Sequence, residues 1–343
     1  MKAKLLLPLL AVCGFFQATA FAQDIHFSQF TMAPLTLNPA LIGAYEGTFR
    51  IGGIYRDQWS SVTTSPSAHF VTPSIYIDAP IVRGFGKNDW VGVGAVVADD
   101  AAGTNVLHNT NAQLGVSYHL GLGRKSNNIL TLGVQGGIVQ KRFDRDRAVT
   151  EEIISGGANL DPLLINSNTN ISYPDFNVGV LLNTTLSSKF QFNIGLSAAH
   201  VLEPNEAFSA FNKDAVLPHR YVAHGGLNID LTQRWVLLPS FLYQNQAKAS
   251  EFNIQALLGR HLNPARDITF LFGAGYRATY ANALYPMVAL NYKGLKAGIA
   301  YDINTSGIST FSQGRGGFEI GLSYTAKISK TPVVKPVLFC PRF

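Results

Sequence analysis

The side chains best equipped for chemistry in this chain are few and scattered. His119 and His224 each share one face of an alternating segment with Asn, Gln or Asp residues, a setting that could hold a metal or relay a proton. No His-x-His or His-x3-His spacing accompanies them, so two imidazoles of one element cannot close on an ion; hydrogen-bonded filling of an interior is the expected role. A hydrolase working at a lipid surface would need Ser, His and a polar orienting group converging on the outer face. Every histidine that falls in a strand below lies on the opposite face or at a strand end. Cys340 is the lone cysteine once a leader carrying Cys13 is removed, which excludes an internal disulfide framework and a cysteine zinc site. The basic run Lys141 to Arg147 alternates with acids and reads as a solvated loop rather than a nucleic-acid stripe. The residues thus point to no enzyme, no cofactor and no metal, and function must be sought in the elements that carry them.

Those elements announce themselves through composition. Of 343 residues only 14% are charged, while 47% are hydrophobic and 32 are glycine. A typical soluble domain carries about 25% charged residues. Lys2 and Lys4, the apolar run Leu5 to Phe16 and the small-x-small site Ala20-Phe21-Ala22 read as a secretory signal peptide over 1–22, cleaved before Gln23. Its loss leaves 321 residues with 25 basic and 21 acidic side chains, a mild bias. After that leader no run of about 20 apolar residues exists, so helical membrane spans are excluded.

A period of two remains. In Asn111 to Leu120, Ala112, Leu114, Val116, Tyr118 and Leu120 form one face, opposite Asn111, Gln113, Gly115, Ser117 and His119. Phe190–Ala199, Arg220–Leu231 and Leu295–Asn304 split the same way. The polar face is Gly, Ser, Asn and Gln rather than long charged side chains, as a crowded barrel lumen requires, and tyrosines such as Tyr55, Tyr118, Tyr221, Tyr243, Tyr276, Tyr292 and Tyr324 fall near segment ends, where a bilayer interface suits them. Candidate strands lie near 48–59, 67–78, 89–99, 106–120, 128–141, 173–184, 188–200, 219–231, 234–245, 251–261, 267–278, 283–293, 295–304 and 317–328. The expected fold is all-β: an antiparallel up-and-down transmembrane barrel of about 14 strands, of outer-membrane type, over 47–328. A segment 23–46, plug-like or periplasmic, precedes it and a periplasmic tail 329–343 follows, with both termini expected in the periplasm. Short connections alternate with longer ones, notably 142–172, 201–218 and 305–316, which are expected to face outward.

Particular motifs sharpen this. Asn38-Pro39-Ala40, followed by Gly43, precedes the first strand, which carries Tyr55-Arg56-Asp57-Gln58-Trp59; Asp100-Ala101-Ala102-Gly103, Pro174-Asp175-Phe176, Gly195-Leu196-Ser197 with His200, Tyr301-Asp302 and the ending Cys340-Pro341-Arg342-Phe343 recur further on. In these residues the chain resembles the PorP/SprF outer-membrane proteins of the type IX secretion system of gliding and adhesin-displaying bacteria. The resemblance implies an integral outer-membrane barrel with no catalytic set, which either serves the secretion and gliding machinery or retains a secreted surface adhesin.

Two roles stand open for Asn38, Pro39, Ala40, Gly43, Tyr55, Arg56, Gln58 and Trp59: contact with a partner, or anchoring and plugging of the barrel, since Asn-Pro starts turns and an interfacial Trp anchors a strand. The outward connections are the expected contacts with the exported partner, and 23–46 the expected contact with periplasmic machinery. Glu151 to Leu164, acidic yet rich in Ile and Leu, is expected either to fold over the barrel mouth or to bind a surface protein. The alternatives are a passive porin or small-solute transporter, and a soluble secreted β-protein that would extract without detergent.

Overall fold

The computed structural model describes residues 24–62, 69–83, 88–103, 107–123, 127–144, 168–208, 215–263, 267–279, 282–307 and 309–328. The leader, the tail 329–343 and the stretch Glu151 to Leu164 lie outside the described residues.

Fourteen strands follow in order: β1 (Phe49–Gln58), β2 (Phe70–Arg83), β3 (Trp90–Ala102), β4 (Leu107–Leu122), β5 (Asn128–Phe143), β6 (Asn170–Ser187), β7 (Phe190–Ala199), β8 (Arg220–Asp230), β9 (Trp235–Gln246), β10 (Ala249–His261), β11 (Ile268–Ala278), β12 (Ala283–Tyr292), β13 (Leu295–Asn304) and β14 (Arg315–Ala326). Each pairs antiparallel with its neighbours in sequence, and β1 pairs with β14 from Phe49 opposite Ala326 to Gln58 opposite Gly317, which closes the barrel. Closure is what lipid demands: a strand edge left open in hydrocarbon would strand its N–H and C=O groups at several kcal/mol each. No helix among the described residues is long and apolar enough to cross a membrane.

The faces are inverted relative to a soluble sheet. Leu114, Leu132 and Ile138 are exposed on the outside, whereas Gln113, Ser117, His119, Gln135, Asn253 and Glu319 are buried within. Tyr55, Tyr118, Tyr221, Tyr243, Tyr276, Tyr292 and Tyr324 all lie on the outer face. The strand ends that flank the short connections 84–89, 123–127, 188–189, 231–234, 262–267 and 293–294 lie at one end of the barrel. The strand ends that flank 59–69, 144–169, 200–219 and 305–314, and those that flank 103–106, 247–248 and 279–282, lie at the opposite end. These are called the short-turn end and the long-loop end below.

The core sits inside the barrel and is supplied by the N-terminal segment. A 3-10 turn (Phe30–Met32), a helical turn (Pro34–Leu37) and a second 3-10 turn (Pro39–Leu41) run through the lumen. Successive apolar side chains meet different parts of the wall: Phe27 and Met32 meet Ile54, Phe30 meets Val222 and Leu242, Leu35 and Ile42 meet Tyr76 and Val96, and Ala40 and Leu41 meet Leu181. Asp24 lies at the long-loop end, where its N–H donates to Gln246 Oε1 at 3.1 Å, while Ile328 lies at the short-turn end, donating to Thr48 Oγ1 at 3.0 Å. The two ends of the described chain therefore face opposite sides of the barrel. A segment that crosses the lumen once before β1 starts at the end opposite to where β14 finishes, whereas the expectation placed both termini on the periplasmic side.

Candidate functional site

The threaded segment, here the plug, is held at four levels. At the long-loop mouth His200, the residue after β7, has its Nε2 2.8 Å from Asp24 Oδ2 and its Nδ1 3.0 Å from Asp175 Oδ1, with Arg220 3.3 Å from Asp24. An imidazolium donating from both nitrogens fits two carboxylates. Burial alone would lower the His200 pKa, but Asp24 and Asp175 outweigh it and push it up to about 9. Burial would raise that of Asp24, yet Arg220 and His200 hold its carboxyl well below the ordinary range.

The signs give a pH profile. His200 stabilises the latch fully below its ordinary 6.5 and loses that contribution as pH climbs from 6.5 through about 9, a displacement of roughly 3 kcal/mol. Asp24 contributes above its ordinary 3.8 and loses it as pH falls below that value. The thermal midpoint of the purified barrel is expected to peak between about pH 4 and 6.5 and to fall toward pH 9. In His200→Gln the alkaline fall should vanish; a variant that keeps it would refute the latch.

One level deeper, four charges close on the backbone of the plug. Arg56 from β1 bonds Asp302 Oδ2 at 2.8 Å and pairs with Glu319, while Arg277 from β11 reaches the same Asp302 oxygen at 2.8 Å. Glu319 accepts the N–H groups of Ser28 and Gln29 at 2.7 and 2.8 Å. The Ser28 hydroxyl donates to Asp302 Oδ1 at 2.7 Å and accepts from both arginines. Two cations and two anions cancel, which is what burial of charge requires.

The Asn-Pro-Ala motif occupies the middle. Asn38 is fully buried; its Oδ1 accepts from Ala40 N–H at 2.8 Å, starting the 3-10 turn, and its Nδ2 lies 3.1 and 3.2 Å from the Val180 and Leu196 carbonyls and 3.0 Å from His224 Nε2. Gly179 on β6 makes this approach possible, because a Cβ there would overlap Asn38 Oδ1. Gly179→Val should therefore unseat the plug, at about 1–3 kcal/mol, while leaving strand pairing intact. Amide exchange of residues 30–45 is expected to rise with that of the strands unchanged; equal protection in both would contradict the assignment.

At the short-turn end Gly43, with φ of +66° in the region glycine alone enters freely, donates to Asp78 Oδ2 at 2.7 Å and accepts from Trp90 Nε1 at 3.0 Å. Arg50 forks onto Asp78 at 2.9 and 2.8 Å. His119 stacks on Trp90 at 4.3 Å, donates from Nε2 to the Ile42 carbonyl and accepts from Thr131 at Nδ1.

The singled-out residues thus part company. Asn38, Pro39, Ala40, Gly43 and Arg56 are buried in the lumen, Gln58 bonds Arg56, Tyr55 faces outward, and Trp59, at φ +69°, packs edge-on to Phe70. While the plug is seated, Phe27 to Tyr45 have little surface to offer periplasmic machinery, which corrects the expectation for that part of 23–46. His119 and His224 hold the plug, as hydrogen-bonded interior residues do. Sequence reasoning missed the roles of Asp24, Ser28, His200, Arg277 and Glu319; a Tyr301-Asp302 pair and a lumen-facing Glu319 were visible, but not what they face. Among the described residues no group of three or more His, Cys, Asp or Glu is placed to hold a metal.

A closed antiparallel barrel with an apolar outer face and a lumen occupied by its own N-terminal segment is an outer-membrane-type β-barrel. Solved structures agree in fold. The toluene transporter TbuX of Ralstonia pickettii superposes at a TM-score of 0.50 with 9% identity, over 87% of this chain and 94% of that one. The Pseudomonas putida toluene transporter TodX does so at 0.52 with 12% identity, over 86% and 93%. A comparison with curated proteins finds no match. The family model for the type IX secretion system membrane protein PorP/SprF matches residues 19–324, and the chain belongs to that family.

Proposed function

We propose that this barrel acts by binding: it anchors, or assists the export of, a type IX secreted surface protein such as an adhesin, alongside other secretion and gliding components. The observation that carries the reading is the filled lumen. A segment bonded to the wall at four levels occupies the lumen, so the loops and mouths are the surfaces available for work. The long-loop end, which we assign to the outside on connection length, has a loop built for contact. In 200–219, Leu217 packs on Val139 and Tyr173, and Glu206 pairs with Lys141, which holds Leu202 and Val216 outward. In 305–314, the helical turn Ser309–Ser312 presents Phe311, 84% exposed.

Deleting the gene and fractionating every secreted protein tests this. Retention of all type IX cargo in the periplasm would define a core component; loss of one adhesin from the surface would define its anchor. No change in either would overturn the reading in favour of small-solute transport, the second reading, which the fold likeness to the two transporters favours. Orientation is tested separately. A label beside Asp24 should react on intact cells and one beside Ile328 only after permeabilisation; the reverse pattern would invert the barrel.

A further inference from the structure

Below the helical turns of the plug, in the short-turn half of the lumen, lies a cavity of about 100 Å³. That is room for about three waters, or for a short alkyl chain. Its walls are largely apolar. Elsewhere the inward apolar side chains pack on the plug or on one another, but here β9, β10, β11 and β12 contribute Leu238, Leu257, Leu271 and Met287 around a void that Phe30 and Leu41 of the plug also line. Apolar walls around a void forgo the contacts that a filled core would make, so such a space favours an apolar occupant over water.

Two cations, Arg50 and Lys296, line the same space. Lys296, inward on β13, has no ion pair or hydrogen bond among the described residues. The lumen arginines Arg50, Arg56, Arg220 and Arg277 each face a carboxylate. Arg50, the other cation of the cavity, is already paired with Asp78. An apolar slot ending at an uncompensated ammonium is complementary to a hydrocarbon chain with an anionic head.

We infer that this cavity is a binding site for a single-chain anionic amphiphile, its chain between the plug and β9–β12 and its carboxylate or phosphate on Lys296. The site is independent of the export reading and would stand if that reading fell. Isothermal titration of the full-length barrel in nanodiscs, with empty nanodiscs subtracted, tests it with hexanoate, hexyl phosphate and hexanol. Saturable binding is expected for one or both anions and at least tenfold weaker binding for the alcohol. The tighter of the two anions identifies the head, fatty acid or phosphate ester. Lys296→Met should weaken the anions at least tenfold and leave hexanol unchanged, Lys296→Arg should keep them, and Leu257→Trp should abolish all three by filling the slot. Circular dichroism and the thermal midpoint confirm that each variant is folded. Absence of saturable binding, equal affinity for the alcohol, or indifference to Lys296→Met would overturn the site.

Discussion

Removing residues 24–45 converts this barrel into a conductor. In planar bilayers the intact protein is expected to pass little current, whereas the deleted form should show large, long-lived openings. Eight strands enclose a space that side chains fill, and 16 to 18 enclose an aqueous channel; fourteen lies near the wider limit. The wall exposed by the deletion is polar across much of its surface, with Gln113, Ser117, Asn193, Asp302 and Glu319 among the inward residues, so water and ions would enter. The deletion could also impair assembly, and Asn38→Leu in the full chain supplies the second arm. Leucine lacks the groups that reach Val180, Leu196 and His224, so the plug should loosen and give brief openings with the strands intact. Equal and large conductance from the intact protein would mean that the plug does not seal, and would move the function to a porin.

The buried charges around Arg56 should show the largest stability effect of any single side chain. Arg56→Met leaves Glu319 without its ion-pair partner and Asp302 with Arg277 alone, in a site where Arg56 itself is 2% exposed. Breaking a buried pair by removing one partner typically costs about 3–5 kcal/mol, because the remaining charge is left without compensation. Denaturant unfolding of the reconstituted barrel measures that loss. Arg56→Lys should recover part of it, since an ammonium carries the charge but cannot fork between Asp302 and Glu319. Pairing Arg56→Met with Glu319→Gln should cost less than the sum of the single changes, which a double-mutant cycle reads directly. Strict additivity would mean that the two side chains do not act together, contrary to the geometry.

All fourteen strands were legible from alternation alone, because a wall with lipid on one side and a packed lumen on the other imposes the period of two on every crossing. The rest of the lumen was not. Asn38-Pro39-Ala40 announced a turn, but its receptors are Val180, Leu196 and His224, more than 140 residues away, and Gly179 read as one small lumen residue among many. Lys296 looked like any inward polar position until Leu238, Leu257, Leu271 and Met287 converged beside it. Four separate strands carry them, and alternation gives each an inward position without saying what it meets there.

The sequence by itself determined an outer-membrane-type barrel, its strand count and its family, since each follows from local pattern and motif. Only the tertiary structure decided that the N-terminal segment runs through the lumen from the long-loop end, that Arg56 and Asn38 serve it, and that the described ends lie on opposite sides. Those facts depend on which distant residues closure of the barrel brings within hydrogen-bond reach, and a period of two carries no record of that.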